Sequence, residues 1–167
     1  MTQADLRSPS WLRIAFKYEG LQEIPGPKHS GVISGWLTKL GAWWKDDETP
    51  WCGVFVAAVM EEAGFKYPSL YMRASSWLSW GQKIDKPVLG SIVVFDRKGG
   101  GHVGFVVGIT KHGDLWVLGG NQRNAVNISL FHPKRIKGHR IPSNWPYSLA
   151  YRVPVTADGK NYSDNEA

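Results

Sequence analysis

Three residues of the chain could together carry nucleophilic chemistry: Cys52, His102 and Asn121. A cysteine thiolate attacks carbonyl carbon, a histidine takes its proton and returns it to a leaving amine, and an asparagine holds the imidazole by its other nitrogen. Cys52 is the only cysteine among 167 residues, which excludes an internal disulfide and a multi-cysteine zinc site. The residue types therefore predict a cysteine nucleophile with a histidine base.

Each of these residues also has an ordinary structural interpretation. A free cysteine is usually a small buried hydrophobe, a lone histidine often satisfies a loop carbonyl, and an asparagine between glycine and a polar residue is often a turn residue. The catalytic interpretation rests on their order, their spacing and the local structure predicted around them.

The element that must position Cys52 is a predicted helix over residues 49–64. Thr49 is expected at its N-cap, Pro50 at its first position and Gly64 at its left-handed end. Cys52 then lies in the first turn, where the helix dipole stabilises a thiolate and where its own N–H is a candidate oxyanion donor. The apolar residues that would bury this helix recur at helical spacing: Phe55, Val56, Val59 and Met60.

The rest of the chain is predicted as helices followed by strands. Further helices are expected over 11–20, 30–40 and 73–80. Strands are expected over 91–96, 102–109 and 115–118, with weaker candidates over 126–131, 136–141 and 149–153. Helices followed by antiparallel strands predict an α+β domain. Two adjacent antiparallel strands would bring His102 beside Asn121, and a helix packed on that sheet could present Cys52 to His102. We expect a polar lead over 1–9, a catalytic domain over 10–155 and a tail over 156–167.

Composition limits the partners. The net charge is +6 and the isoelectric point about 9.5, which favours an anionic partner such as a cell-wall polymer. A basic segment at 134–140 lies in no recognisable nucleic-acid module, and a charged edge strand explains it equally well. No apolar run reaches transmembrane length, and the N-terminal residues lack the apolar region of a signal peptide, so we expect synthesis in the cytoplasm and no stable membrane insertion.

Three motifs, in this order, resemble the CHAP and NlpC-type amidases and endopeptidases of the papain-like superfamily. They are TPWC at 49–52, GSIVVF at 90–95 leading to GHVGFV at 101–106, and GGNQ at 119–122. The resemblance implies a central helix bearing the nucleophile, packed on an antiparallel sheet. It also implies hydrolysis of a peptidoglycan amide with no cofactor, through Cys52, His102 and Asn121 and a thioester intermediate; we name no metal ligand. The bond cut would be N-acetylmuramoyl–L-alanine or a link of the stem peptide.

One position departs from that family. Many CHAP enzymes carry a glutamate two residues before the asparagine, where this chain has Gly119. Asp47 or Glu48 could replace that acid, although acids before a helix also suit its dipole. The residues expected to contact substrate are Trp51, Trp44, Arg73, Trp77 and Gln122, with core packing as the alternative for the tryptophans.

We expect a monomer that acts on the cell wall. The lack of a signal peptide suggests a phage lysin released by a holin, a phage particle component, or a secretion-system effector with an immunity protein. Two other functional classes stay open. The same residues could serve a cysteine acyltransferase or deamidase acting on protein, and the fold could serve a non-catalytic wall-binding module.

Overall fold

The protein is described by a computed structural model that covers residues 8–24, 31–42, 51–97 and 100–156. Within these residues the α-helices precede the sheet: α1 (Ser10–Lys17), α2 (Gly31–Lys39) and α3 (Cys52–Glu62), followed by a 3-10 helix (Ala74–Ser79). The strands are β1 (Gln82–Ile84), β2 (Ile92–Arg97), β3 (Gly100–Thr110), β4 (Leu115–Gln122), β5 (Ala125–Phe131), β6 (Ile136–Ile141) and β7 (Val155–Thr156). The predicted α+β architecture is confirmed.

The strands form one sheet in the order β1-β6-β2-β3-β4-β5. These neighbours are all antiparallel, and only β7 joins in parallel, beside the end of β3. The predicted meander is therefore present as β2, β3 and β4. Three predictions were wrong in detail: β1 was missed, 149–153 forms no strand, and 73–80 contains a 3-10 helix in place of an α-helix.

Helix α3 is the centre of the packing. Its residues from Cys52 to Met60 are all buried, as expected for a helix that is apolar on every side. At its end Gly64 has φ of +86°, and the Phe65 N–H donates to Met60 O at 2.8 Å. This Schellman arrangement confirms the predicted role of Gly64.

The start of α3 differs from the prediction. The helix begins at Cys52, and Trp51 occupies the N-cap position without a side-chain capping bond. Thr49 and Pro50, expected at the cap and the first position, lie outside the described residues. Cys52 nevertheless lies in the first turn, as predicted, and it is the first residue of that turn.

Helices α1 and α2 are fastened to the far end of α3 by surface contacts. Glu62 accepts hydrogen bonds from Lys17 Nζ at 2.6 Å and Tyr18 Oη at 2.5 Å. Lys39 Nζ lies 3.0 Å from Glu61 Oε2. Exposed pairs of this kind contribute little stability each, so most of the helix packing energy comes from the apolar core.

The sheet separates two apolar clusters. The larger lies between the helices and one sheet face, and it includes α3 together with Val103 and Phe105 of β3. The smaller lies on the other face, around Val93, Phe95, Val106, Val117 and Phe131. Successive residues of a strand point to opposite faces, so β2, β3, β4 and β5 each contribute to both clusters.

Candidate active site

Cys52 is held rigidly at the first position of α3. It is 7% exposed and forms no disulfide. The next residue, Gly53, lies so close to the loop after α3 that a Cβ there would overlap the Tyr71 carbonyl oxygen. This close approach of two backbones fixes the start of the helix, which is the support that a nucleophile requires.

His102 lies near the start of β3 and is fully buried. Its ring stacks on Phe131 with centroids 5.3 Å apart and planes 14° apart. Phe95 is its cross-strand neighbour on β2 and lies 6.3 Å away, centroid to centroid. Phe95 and Phe131 also stack on each other, with centroids 4.4 Å apart, so the imidazole packs against an aromatic pair on the smaller-cluster side of the sheet.

The Nε2 atom of this imidazole is hydrogen-bonded to Gln122 Oε1 at 2.9 Å. The amide nitrogen of Gln122 donates on its other side to Val117 O at 3.2 Å, Asn127 O at 2.8 Å and Asn127 Oδ1 at 2.8 Å. Because three acceptors surround that nitrogen, the amide oxygen must be the atom that faces His102. It follows that His102 Nε2 carries the proton and Nδ1 carries the lone pair.

The supporting residue Asn127 is itself fixed. Its Nδ2 donates to the Gln122 carbonyl at 2.7 Å, and its Oδ1 accepts a bond from Ser129 Oγ at 2.8 Å. The network therefore runs from β5 through Gln122 to the imidazole. Buried networks in which each member is satisfied hold their side chains in one arrangement.

Asn121 was predicted to hold the imidazole, whereas the hydrogen bond that the structure shows at Nε2 comes from Gln122; a role for Asn121 stays a prediction. Asn121 is 1% exposed with φ of +58°, and its Oδ1 has no hydrogen-bond partner within the described part of the chain. The cause is a register irregularity between Gly119 and Gln122 in the pairing of β4 with β5. Along a regular strand the side chains alternate between the two sheet faces, which would place Asn121 on the face of His102. A bulge interrupts this alternation, so that Gln122 lies on that face instead.

Two neighbouring glycines of β4 lie against the imidazole and against the start of the cysteine helix, on opposite faces of the sheet. A Cβ on Gly119 would lie 3.2 Å from His102 Nε2. A Cβ on Gly120 would lie 2.8 Å from the Trp51 ring and 2.6 Å from Phe55 Cβ. The start of α3 and the imidazole thus approach adjacent residues of one strand, from its two sides.

The structure describes only some of the residues that were predicted to contact substrate. Trp51 and Trp77 are 1% and 0% exposed and Gln122 is 0% exposed, so all three are interior residues, and their contact with substrate stays a prediction. Trp44, Asp47 and Glu48 lie outside the described residues.

Arg73 remains a predicted substrate contact. Its side chain is exposed, and it precedes Ala74, whose Cβ lies 3.2 Å from the position of a Cβ on Gly101. Since Gly101 precedes His102, the start of the 3-10 helix packs beside the strand residue next to the imidazole.

Neither a membrane span nor a metal cluster is found in the described regions. No helix there has the length and apolar character to cross a bilayer. The same residues contain no group of three or more His, Cys, Asp or Glu side chains placed to hold a metal ion.

The fold and the site together define a class: an α+β domain of papain-like type, with a cysteine at the start of a central helix and a histidine on the antiparallel sheet. The sequence profile of the CHAP domain family matches residues 44–121, so this part of the chain is similar to CHAP domains. CHAP domains are peptidoglycan hydrolases of the amidase type that depend on a cysteine and a histidine. The match ends one residue before Gln122. No curated protein shows detectable similarity to the chain.

Proposed function

We propose that this protein hydrolyses an amide bond of peptidoglycan with Cys52 as nucleophile and His102 as general base. The observation that carries the proposal is the imidazole held in a single tautomer at Gly119, next to the glycine on which the start of the cysteine helix packs. In that tautomer Nδ1 is the basic atom, and the proposal assigns to it the proton of the Cys52 thiol. The bond cut is N-acetylmuramoyl–L-alanine or a link within the stem peptide.

The reaction has two halves. The Cys52 thiolate attacks the carbonyl carbon, the C–N bond breaks, and His102 returns the proton to the departing amine, leaving a thioester. Water then attacks the thioester while His102 takes its proton, and the thiol and a carboxylic acid are released. The developing oxyanion forms beside the N-terminus of α3, where the helix dipole and the Cys52 N–H favour negative charge.

Arg73 is an exposed cation at the start of the 3-10 helix, and we propose that it meets a carboxylate of the stem peptide. The net charge of +6 favours adsorption to an anionic wall. We also propose that the protein lyses bacteria, either as a phage lysin or as a secreted effector that acts on the cell wall.

The deciding experiment is mass spectrometry of soluble products from purified sacculi incubated with wild-type protein or Cys52→Ala. We expect wild-type protein alone to release products. Free stem peptides with intact glycan identify an amidase, and muropeptides cut in the stem identify an endopeptidase. Undiminished release by Cys52→Ala, or no release from sacculi of several wall chemotypes, contradicts the proposal.

The substrate contact is tested separately. Arg73→Ala should raise KM for stem-peptide substrates several-fold with little change in kcat, since the lost interaction is with the bound substrate. The matched control is Lys83→Ala, which removes an exposed cation from β1, the edge strand farthest from β5 in the sheet. Equal effects of the two substitutions contradict a specific role for Arg73.

A further inference from the structure

We propose that Gln122 is the positioning residue of the catalytic histidine, and that Gly119 is a glycine because the Gln122 amide occupies the space of its missing side chain. This inference rests on the proposed function for its kinetic consequences. Its structural half concerns the resting protein and can be tested without substrate.

The surroundings of Gln122 require an amide. Its Nε2 lies within 3.2 Å of two backbone carbonyls and the Asn127 side-chain oxygen. A carboxylate at position 122 would direct an oxygen at these acceptors, which repel it. The three contacts therefore select glutamine and orient its oxygen toward His102 Nε2 at 2.9 Å.

Position 119 and the Gln122 amide exclude each other. A Cβ on Gly119 would overlap Gln122 Oε1, and it would lie 3.0 Å from Gln122 Cδ and 3.2 Å from His102 Nε2. A side chain at 119 would thus point directly at the atom that Gln122 now holds. Only one of the two positions can supply the partner of the imidazole, and in this chain it is position 122.

A neutral partner has a chemical consequence. The amide oxygen fixes the Nε2–H tautomer, but it brings no negative charge to the imidazolium that forms when Nδ1 takes the thiol proton. A carboxylate in the same place would favour the imidazolium and move the titration of His102 to higher pH. The glutamine therefore controls the geometry of the base without adding a charge to the site.

The first test is NMR of the imidazole nitrogens of His102 in the full-length wild-type protein. We expect a protonated Nε2 and an unprotonated Nδ1, with a slowly exchanging Nε2–H. In Gln122→Met the fixed tautomer should be lost. A resting histidine protonated on Nδ1 alone, or an unchanged tautomer in Gln122→Met, overturns the inference whatever the activity is.

The control is Gln82→Met. Gln82 donates its amide to Pro142 O at 3.1 Å and Trp145 O at 2.7 Å on the outer strand of the sheet. This substitution should lower Tm by an amount similar to Gln122→Met while leaving the His102 resonances and kcat unchanged. Equal loss of kcat in both variants would show that general destabilisation is the cause and would overturn the positioning role.

The second test exchanges the two positions. Gln122→Ala and Gly119→Glu alone should each lower kcat, on the order of 10²-fold, with a smaller effect on KM. The double variant should recover most of the loss, because the glutamate introduced at position 119 then fills the vacated space, and its His102 should titrate at higher pH. Additive losses overturn the inference. If instead Cys52→Ala retains hydrolysis, the proposed function fails while the NMR result still decides the role of Gln122.

Discussion

The indole N–H of Trp51 donates a hydrogen bond of 2.9 Å to Glu23 Oε1. Trp51 immediately precedes the cysteine. The backbone of Glu23 in turn donates to Asn124 O at 2.8 Å, at the tip of the β4–β5 hairpin. Glu23 therefore joins the start of α3 to the hairpin that carries Gln122.

Glu23→Ala should destabilise the fold by about 1–3 kcal/mol, because it leaves a buried indole N–H without its acceptor. Equilibrium urea unfolding measures this change. Gln22→Ala removes an exposed neighbour in the same segment and should change the stability by less than about 0.5 kcal/mol. Equal effects would mean that the Trp51 bond contributes nothing specific.

Gly120→Ala should cost about 1–3 kcal/mol, because the added methyl group would press on the Trp51 ring and Phe55 Cβ in a packed core. Gly35→Ala is the matched control. A Cβ on Gly35, within α2, meets no heavy atom within 4 Å, so that substitution should stabilise the protein by about 0.5–1 kcal/mol. Thermal unfolding of the two variants should therefore move in opposite directions, and a shift of the same sign would contradict the packing argument.

Stability should fall in acid through His139. This residue on β6 is 7% exposed, and burial lowers its pKa from 6.5 to about 4. The unfolded chain binds the proton near pH 6.5 and the folded protein only near pH 4, so the stabilisation is complete above pH 6.5 and is lost as pH falls toward 4. It amounts to about 3 kcal/mol.

Urea unfolding between pH 4.5 and 7.5 measures this pH dependence. His139→Gln should flatten the slope, whereas His112→Gln, at an exposed turn position, should leave it unchanged. A slope that is the same in wild-type protein and His139→Gln would exclude His139 as its source.

The hairpin between β4 and β5 can be strengthened. Its two central residues, Arg123 and Asn124, have φ of +54° and +60°, as a type I′ turn requires. Replacing them by Asn and Gly should raise stability by roughly 0.5–1 kcal/mol, since these residues adopt positive φ with less strain. Tm measures the gain, and the His102 resonances should not move. A lower Tm would mean that the native side chains stabilise the turn.

Local sequence patterns predicted the elements that surround the site. Strand β6 has the bounds that were expected, from Ile136 to Ile141, and Gly64 ends α3 where a left-handed residue was required. The partner of His102 could not be found in this way. Which residue bonds to His102 depends on a bulge within β4. The bulge shifts the strand by one residue, so that Gln122 takes the place of Asn121, and the local sequence gives no sign of this shift.

Non-local contacts account for the other errors. Strand β1 has three residues and exists because it pairs with β6, whose residues lie more than fifty positions later. Composition also could not decide whether the tryptophans line a substrate groove or pack in the core. The structure buries Trp11, Trp51 and Trp77, which only the arrangement of the helices around α3 decides.

The short parallel strand β7 determines how this domain can be joined to others. Val155 and Thr156 pair with Ile109 and Thr110 at the end of β3, and Trp116 Nε1 donates to Thr156 Oγ1 at 2.8 Å. His102 lies near the opposite end of the same strand, about 25 Å away at the rise of an extended chain. A second domain fused after Thr156 would therefore be anchored at a fixed distance from His102, which suits the construction of two-domain chimeras.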